Sequence, residues 1–127
     1  MRVGPKINIE IPPLFLMNKE LKIAVLRGIF DTDGCIYLEK KNHRLYPRMQ
    51  IVTISVKLAN QLKNLFLELG LRATMYKDHL ILKGKQKDSY VVSIRGEEMF
   101  HKFIQIIGPK NPKHIAKYHR FLDSKSL

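Results

Sequence analysis

One predicted helix constrains this chain more than any other segment, because its apolar residues lie on two opposite faces. The helix begins after Asn18, a favourable N-cap, and runs to about Asp31. At 100° per residue, one face carries the side chains of Leu21, Ala24, Val25, Gly28 and Thr32. The nearly opposite face carries those of Ile23, Leu26 and Phe30. A helix with two apolar faces has to be covered on both of them.

The two faces differ in the size of their side chains, and this difference indicates what covers each. Ala24, Gly28 and Thr32 are small and spaced by four residues, the arrangement that lets another helix approach closely. The larger residues opposite are expected to fill the core of the protomer. Either the helix is fully internal in a monomer, or it crosses its symmetry mate in a two-fold dimer. We expect the dimer, with an interface formed by Leu21, Ala24, Val25 and Gly28.

The rest of the chain alternates pairs of strands with helices. Strands are predicted at residues 35–41, 48–54, 72–77 and 89–95, and helices at 56–69, at 97–107 and from 112 onwards. Ser55 can cap the first of these helices, and Asn111-Pro112 starts the last, with proline at its first position. A turn is predicted at 42–47, a further short strand at 79–83 and a loop at 84–88. The order αββαββαα predicts an α+β fold, with an antiparallel sheet and the helices gathered on one of its faces.

The N-terminal segment differs in character from the rest of the chain. Residues 1–17 contain three prolines and no helical periodicity, so an extended arm is predicted there. Residues 18–127 are predicted to form a single domain, because a chain of 127 residues leaves little room for a second one.

The charge balance points to a polyanionic partner. Lysine and arginine total 23 against 11 acidic residues, which gives a net charge of +12. Clustered cations displace counterions from a phosphate backbone, so nucleic acid is favoured, with a merely lysine-rich surface as the alternative. Cys35 is the only cysteine, which excludes an internal disulfide or a cysteine zinc site and is compatible with a cytoplasmic location. No apolar run approaches the length of a membrane span, so no membrane partner is expected.

The predicted helix ends in the sequence LRGIFDTDG at residues 26–34, which brings two carboxylates to its C-terminal end. Asp31 and Asp33 are unfavourable there, because the helix dipole already makes that end negative. A divalent cation would remove the conflict, and Mg²⁺ prefers carboxylate and carbonyl oxygens together with water. A plain D-x-D-G turn is the alternative. An EF-hand is excluded, because its third acidic position and its terminal glutamate are absent.

The string LRGIFDTDG resembles the LAGLIDADG motif of homing endonucleases and related maturases. The first leucine, the glycine, both aspartates and the closing glycine match, while Arg27 and Thr32 stand where the family commonly has alanine. The resemblance extends to the αββαββα order and covers nearly the whole chain after the arm. It implies a saddle-shaped sheet that lies over double-stranded DNA.

The resemblance also implies roles for the motif residues. Asp33 would bind Mg²⁺ or Mn²⁺, with the carbonyl oxygen of Thr32 beside it, and Asp31 would cap or orient. A homodimer would bring two Asp33 side chains together at the two-fold axis, where metal-assisted hydrolysis of phosphodiester bonds can take place. One chain supplies one such aspartate, so a single copy is expected to be inactive.

Two further positions come from the family pattern. Relatives usually carry a basic residue near the metal, from the segment between the last two helices. Lys110 and Lys113 in GPKNPKH both qualify, and the choice between them stays open. Many relatives also have a polar residue after the second strand that orders water, and only Ser55 could serve here, which is a departure from the pattern.

Strand alternation predicts which side chains face the DNA. If Ile36 and Leu38 point to the core, their neighbours point to the free face of the sheet. The outward side chains mix cations, amides, hydroxyls and aromatic rings, the types that recognise base edges in a major groove. The predicted set is Tyr37, Glu39, Lys41, Arg48, Gln50, Arg72, Thr74, Tyr76, Ser93 and Arg95. A solvated strand face is the alternative for each residue taken singly. Phosphate contacts are expected from Lys83, Lys85, Lys87, Lys110, Lys113 and Lys117.

Three classes of function compete for this sequence. A site-specific, metal-dependent DNA endonuclease acting as a homodimer is favoured. A non-cleaving binder of the same fold, either a DNA-binding regulator or an RNA maturase, is the second. A general basic RNA-binding or ribosomal protein explains the net charge of +12 but not LRGIFDTDG, and it ranks last.

Overall fold

The structure, a computed structural model, describes residues 9–125 and has the predicted α+β architecture. Its helices are α1 (Lys19–Asp33), α2 (Val56–Glu68), α3 (Glu97–Ile106) and α4 (Pro112–Lys125). Its strands are β1 (Gly34–Lys41), β2 (Arg44–Thr53), β3 (Ala73–Leu82) and β4 (Lys85–Arg95). A short 3-10 helix at Pro13–Leu16 precedes them. The predicted order αββαββαα is confirmed.

The four strands form one antiparallel sheet in the order β1-β2-β4-β3, so β1 and β3 are its edges. The register aligns residues of one face in rows across the strands. Tyr37 lies opposite Arg48, which lies opposite Arg95 on its other side. The neighbouring row runs from Cys35 through Gln50, Ser93 and Thr74.

The other face of the sheet is covered by helices and carries the core. Ile36, Met49 and Ile94 are buried there, as alternation along the strands predicts. Leu26 and Phe30 of α1 are buried against them, and the Phe30 ring lies 4.7 Å from that of Phe103, centroid to centroid. Full burial of each such side chain stabilises the fold by about 1.5–3 kcal/mol. Within residues 9–125, no helix is both long and apolar enough to span a bilayer.

The start of the described N-terminal arm lies on α2, and the 3-10 helix that follows it contacts α1. The backbone N–H of Ile11 donates to Oε1 of Gln61 at 2.6 Å, and Nε2 of Gln61 donates to the carbonyl of Ile11 at 3.1 Å. Ile11 is buried as a result. The predicted arm is therefore bound to the domain from residue 9 onwards, while its first eight residues, like residues 126–127, lie outside the described part of the chain.

Both hairpins are longer than the sequence patterns predicted. The predicted turn at 42–47 is only two residues long, since Asn42 and His43 adopt φ of 51° and 65° and β2 begins directly after them. The predicted strands at 72–77 and 79–83 are one strand, and the predicted loop at 84–88 belongs mostly to β4. Lys83 and Gly84, with φ of 53° and 76°, form the turn between them. Two consecutive residues with positive φ match the twist of a tight hairpin.

Candidate functional site

The C-terminal end of α1 is shaped by the closing glycine of LRGIFDTDG. The backbone N–H of Gly34 caps α1 by donating to the carbonyl of Phe30. A Cβ atom added at Gly34 would overlap the ring of Phe30, which is itself buried in the core and has no room to move aside. Glycine is therefore required at this position by packing, and Asp33 is left as the last residue of the helix.

Asp31 is bonded to the connection between α3 and α4. Its carboxylate accepts the backbone N–H of Lys110 at 3.0 and 3.2 Å and that of Asn111 at 3.1 Å. The Nδ2 of Asn111 donates to the backbone carbonyl of Asp31 at 3.0 Å. These donors offset the unfavourable position of this carboxylate at a negative helix end. The sequence pattern predicted that Asp31 caps or orients, and its bonds to this connection agree with that role.

Asp33 stands in contrast to Asp31. It is exposed, and within residues 9–125 its carboxylate has no hydrogen bond or ion pair. Thr32 is also exposed; its hydroxyl donates to the carbonyl of Gly28 at 2.9 Å, and no described side chain donates to its own carbonyl oxygen. A free carboxylate beside a free carbonyl suits a hard divalent cation that keeps several waters. No three metal-ligating side chains gather anywhere in the described chain.

The two lysines that could serve as the basic residue near the metal, Lys110 and Lys113, lie in different surroundings. The backbone of Lys110 is bonded to Asp31, two residues before Asp33, and its side chain is exposed. Lys113 lies in the first turn of α4 and, with Lys117, lines a cavity of about 140 Å³ beside Cys35 and Tyr37 of the edge strand. Both lysines are therefore near the end of α1 and the start of β1, but only Lys110 is attached directly to the motif.

His114 belongs to the same cluster, although the sequence did not single it out. It is fully buried, its Nε2 lies 3.1 Å from the carbonyl oxygen of Phe30, and its ring centroid lies 4.6 Å from that of Phe30. Burial, chiefly, lowers the pKa of His114, so the ring is neutral at neutral pH and donates through Nε2. The Oδ1 of Asn111 accepts the N–H of Lys113 and so caps α4. The cap sets where the helix begins, and the start of the helix determines which face carries His114. The predicted helix start at Asn111-Pro112 was the only sequence feature that bore on the position of His114.

The free face of the sheet carries the predicted DNA-contacting residues. Arg48 is half-buried, with its guanidinium 5.1 Å from the ring centroid of Tyr37 in a cation–π contact. A hydrogen bond with Cys35 raises the pKa of the Tyr37 phenol, which stays neutral at physiological pH. Gln50 is also half-buried. The remaining predicted residues with exposed side chains are Tyr37, Glu39, Lys41, Arg72, Thr74, Tyr76 and Arg95.

Ser93 is the exception among these residues. Its register places it on the free face, but its side chain is only 1% exposed. The Nε of Arg95 lies 3.4 Å from its hydroxyl, and the hydroxyl of Thr74 lies 3.4 Å from its carbonyl. The direct contact of Ser93 with DNA stays a prediction, while the structure places its hydroxyl beside Nε of Arg95. Alternation gives the face on which a small residue lies, and its larger neighbours determine how exposed it is.

Ser55 is fully buried, accepts the N–H of Leu58 as the N-cap of α2, and donates to the carbonyl of Ile9. The cap that the sequence predicted at this residue is confirmed. The hydroxyl is engaged on both sides inside the fold, which does not favour the water-ordering role, and that role stays a prediction.

The small-residue face of α1 is uncovered within the described chain. Ala24 and Gly28 are exposed, and a Cβ atom added at Gly28 would have no neighbour within 4 Å. Leu21 and Val25 are half-buried at the border of this face. Within residues 9–125 the helix is therefore not internal, and the two-fold dimer that the sequence suggests for this face stays a prediction.

Comparisons with known proteins agree with this geometry. A family model described as a LAGLIDADG-like domain matches residues 20–108, well over half of the chain. The chain is 37% identical over 100 residues to the replicative DNA helicase DnaB of Synechocystis, with 77% of this chain and 11% of the relative covered. It is 31% identical over 96 residues to DnaB of Rhodothermus marinus, covering 75% and 10%.

A third relative is a helicase of another kind. The chain is 30% identical over 115 residues to an ATP-dependent DNA helicase of Methanocaldococcus jannaschii, with 84% of this chain and 9% of the relative covered. The chain thus spans about a tenth of the length of these relatives. The matched family model, the free Asp33 at the end of α1 and the αββαββαα order lead to one conclusion: this chain belongs to the LAGLIDADG family.

Proposed function

We propose that this protein is a site-specific DNA endonuclease that acts as a homodimer and uses Mg²⁺ or Mn²⁺. The observation that carries the proposal is the difference between the two motif aspartates. The Asp31 carboxylate accepts from the two backbone N–H groups of Lys110 and Asn111, whereas Asp33 is exposed and has no partner in residues 9–125. A carboxylate that the fold leaves free at a negative helix end is suited to a cation.

The second copy of the chain would complete the site. Because Ala24 and Gly28 leave α1 uncovered, two copies of α1 can cross closely at that face. Asp33 is the last residue of α1, so such a crossing would bring two Asp33 carboxylates near one axis. Such a shared site would explain why the described residues of one chain offer a single free carboxylate at this point and no larger cluster of metal ligands.

Double-stranded DNA fits the charge and the chemistry of the sheet. The net charge of +12 favours a phosphate backbone, and the rows of arginine, tyrosine and glutamine side chains on the free face can contact base edges. Lysines at the hairpin tip, namely Lys83, Lys85 and Lys87, are exposed and suited to phosphates.

The roles of the residues follow from their positions. A bound divalent cation would activate water and stabilise the leaving oxygen of the phosphodiester. Asp33 and the carbonyl oxygen of Thr32 would hold it. Lys110 is the better candidate for the basic residue near the metal, because its backbone is bonded two residues from Asp33. Lys113, which lines the cavity beside β1, is assigned to phosphate contact.

The second candidate is a non-cleaving binder of the same fold, either a DNA-binding regulator or an RNA maturase. One observation favours it: the hydroxyl of Ser55 is fully engaged inside the fold, which does not favour the water-ordering role expected of that residue. The helicase activities of the relatives are not carried over, because this chain spans about a tenth of their length. The cytoplasmic location stays a prediction from the single cysteine.

Selection of cleaved duplexes from a randomised library, with Mg²⁺ or Mn²⁺, tests the proposal. We expect recovery of one pseudo-palindromic target, since a two-fold dimer reads two half-sites. Asp33→Asn should bind that target and leave it intact. Tight binding of a defined duplex by the wild type, without cleavage by either metal, would support the non-cleaving binder. Failure to bind any duplex would contradict the endonuclease and the DNA-binding regulator, and would leave the RNA maturase as the second candidate.

A further inference from the structure

The connection between α3 and α4 is held by α1 at two points one helical turn apart. The Nε of Arg27 donates to the carbonyl of Ile107 at 2.7 Å, at the end of α3. The carboxylate of Asp31 accepts from Lys110 and Asn111, just before α4. Arg27 and Asp31 are four residues apart on α1, so both side chains lie on the same side of that helix.

The backbone between these two points has little freedom. Gly108 adopts φ of 61°, and the buried Pro109 has its φ fixed by its ring. Asn111 caps α4 through its Oδ1 and donates to the carbonyl of Asp31 through its Nδ2. Only the side chain of Lys110 extends freely from this segment, being exposed and without a partner within residues 9–125.

We infer that Arg27 and Asp31 are positioning residues that place Lys110 beside Asp33. The inference rests on the proposed nuclease function. Lys110 and Asp33 lie 77 positions apart in sequence (110 − 33 = 77), and a cation that assists a reaction has to be held to within about 0.5 Å of its productive position. Arg27 and Asp31 tie the two segments together directly.

The chemistry of each side chain explains why it is suited to this task. A carboxylate offers two acceptor oxygens, and the N–H groups of Lys110 and Asn111 use both. In Asp31→Asn, one oxygen becomes an NH₂ donor that faces an N–H donor. The bond from Arg27 to the carbonyl of Ile107 needs a long side chain that carries a donor. Arg27→Lys keeps a donor, whereas Arg27→Ala loses it.

Amide hydrogen exchange of the free protein is the first test, and it requires neither metal nor DNA. In Asp31→Asn, exchange at Lys110 and Asn111 should accelerate about tenfold or more, because hydrogen bonds to a charged group are lost. Exchange within α2 should not change. Asp123→Asn, at an exposed aspartate of α4, is the matched control and should leave Lys110 and Asn111 as in the wild type. Unchanged exchange at both amides in Asp31→Asn would overturn the inference.

A double-mutant cycle on single-turnover cleavage, at saturating DNA, is the second test. Asp31→Asn and Lys110→Ala should each slow the cleavage step, and the double variant should be no slower than Lys110→Ala alone. Arg27→Ala should behave like Asp31→Asn with a smaller effect, and Arg27→Lys should restore part of the rate. If the two substitutions instead slow cleavage independently, so that their fold-changes multiply in the double variant, the positioning role would be overturned.

The two tests separate the failure of the inference from that of the proposed function. A wild type that binds its duplex but never cuts it contradicts the nuclease proposal, and the role of Lys110 in cleavage falls with it. The exchange result would then still decide whether Asp31 holds the Lys110 backbone. Normal cleavage by the wild type combined with multiplicative effects would contradict the inference alone.

Discussion

The C-terminal end of α1 and the free face of the sheet are organised differently. At the end of α1, the Asp31 carboxylate and Nε2 of His114 are hydrogen-bonded to other segments. The side chains of Asp33 and Lys110 have no partner in residues 9–125, and Nδ1 of His114 is buried without one. On the sheet face, Nε of Arg48 and Oε1 of Gln50 are buried without a hydrogen-bond partner in the described chain. Such groups cost about 1–3 kcal/mol each when they stay unpaired.

This difference matches two different tasks. Metal-assisted chemistry depends on groups that are already in place before the substrate arrives, because misplaced groups lose most of their effect. Recognition of bases can use side chains that complete their hydrogen bonds on the partner. We therefore expect changes at the end of α1 to alter the rate of cleavage, and changes on the sheet to alter the choice of target.

Asp33→Asn should give the largest effect and the cleanest separation of the two regions. The amide keeps the shape of the side chain but loses the charge that holds the cation, so cleavage should fall by about 10³-fold or more. The affinity for the target duplex, measured by fluorescence anisotropy, should change less than about threefold, since Asp33 lies outside the sheet face. A variant that cuts at the wild-type rate would remove Asp33 from the chemistry.

Gly28→Leu tests whether the end of α1 depends on a second copy. Added bulk on the exposed small-residue face should weaken the dimer by about 1–3 kcal/mol, which is roughly a tenfold to hundredfold rise in its dissociation constant. Analytical ultracentrifugation measures the change. Ala116→Leu, at an exposed alanine of α4, is the matched control and should leave the dimer intact. A wild type that stays monomeric at all concentrations would contradict the predicted interface.

Arg48→Ala tests the sheet face. Loss of a base contact should cost about 1–3 kcal/mol on the preferred target and relax the preference at one position of each half-site. Lys85→Ala should instead weaken all duplexes alike and reduce the slope of affinity against salt by about one phosphate contact. Competition binding with single-base variants distinguishes the two results. If Lys85→Ala changes the preference and Arg48→Ala does not, the assignment of the sheet face is wrong.

The sequence predicted the features that depend on neighbouring residues, such as helix caps and buried helix faces. Asn18 accepts the N–H of Leu21 and Ser55 that of Leu58, so both predicted N-caps are confirmed. The buried Leu26 and Phe30 follow from helical periodicity. In contrast, the far end of β4 at Lys85–Asp88 is polar, and its pairing with His79–Leu82 of β3 comes from cross-strand bonds that a single-strand pattern does not contain.

Contacts between residues far apart in the sequence could not be predicted. Asp31 was expected to cap or orient, but its partners Lys110 and Asn111 lie about eighty residues away, and no local pattern names them. The same holds for Arg27 and Ile107. The burial of Ser93 was not predicted for a related reason, since Arg95 and Thr74 contact it in the folded sheet. Residue type and periodicity predicted which face of a helix or strand each side chain lies on. Its hydrogen-bond partners in distant segments became known only from the folded structure.

The smallest expected effect concerns pH and the end of α1. Burial lowers the pKa of His114, so the folded state prefers the neutral ring. The stability that this ring contributes is fully present above its unfolded pKa of about 6.5. It is lost as pH falls below that value towards the folded pKa, because the unfolded chain then binds the proton more readily. We expect the urea midpoint of the wild type to be lower at pH 5.5 than at pH 7.5.

His114→Gln should flatten this dependence, because glutamine retains a side-chain N–H for the carbonyl of Phe30 but does not titrate over this range. His119→Gln is the matched control: His119 is exposed on the same helix, and its replacement should leave the difference between the two midpoints unchanged. Equal flattening by both variants would show that general charge, rather than the buried ring, produces the dependence. A flatter profile in His114→Gln alone, with cleavage at pH 7.5 close to the wild-type rate, would identify His114 as a structural tie between α4 and α1, distinct in role from Asp31.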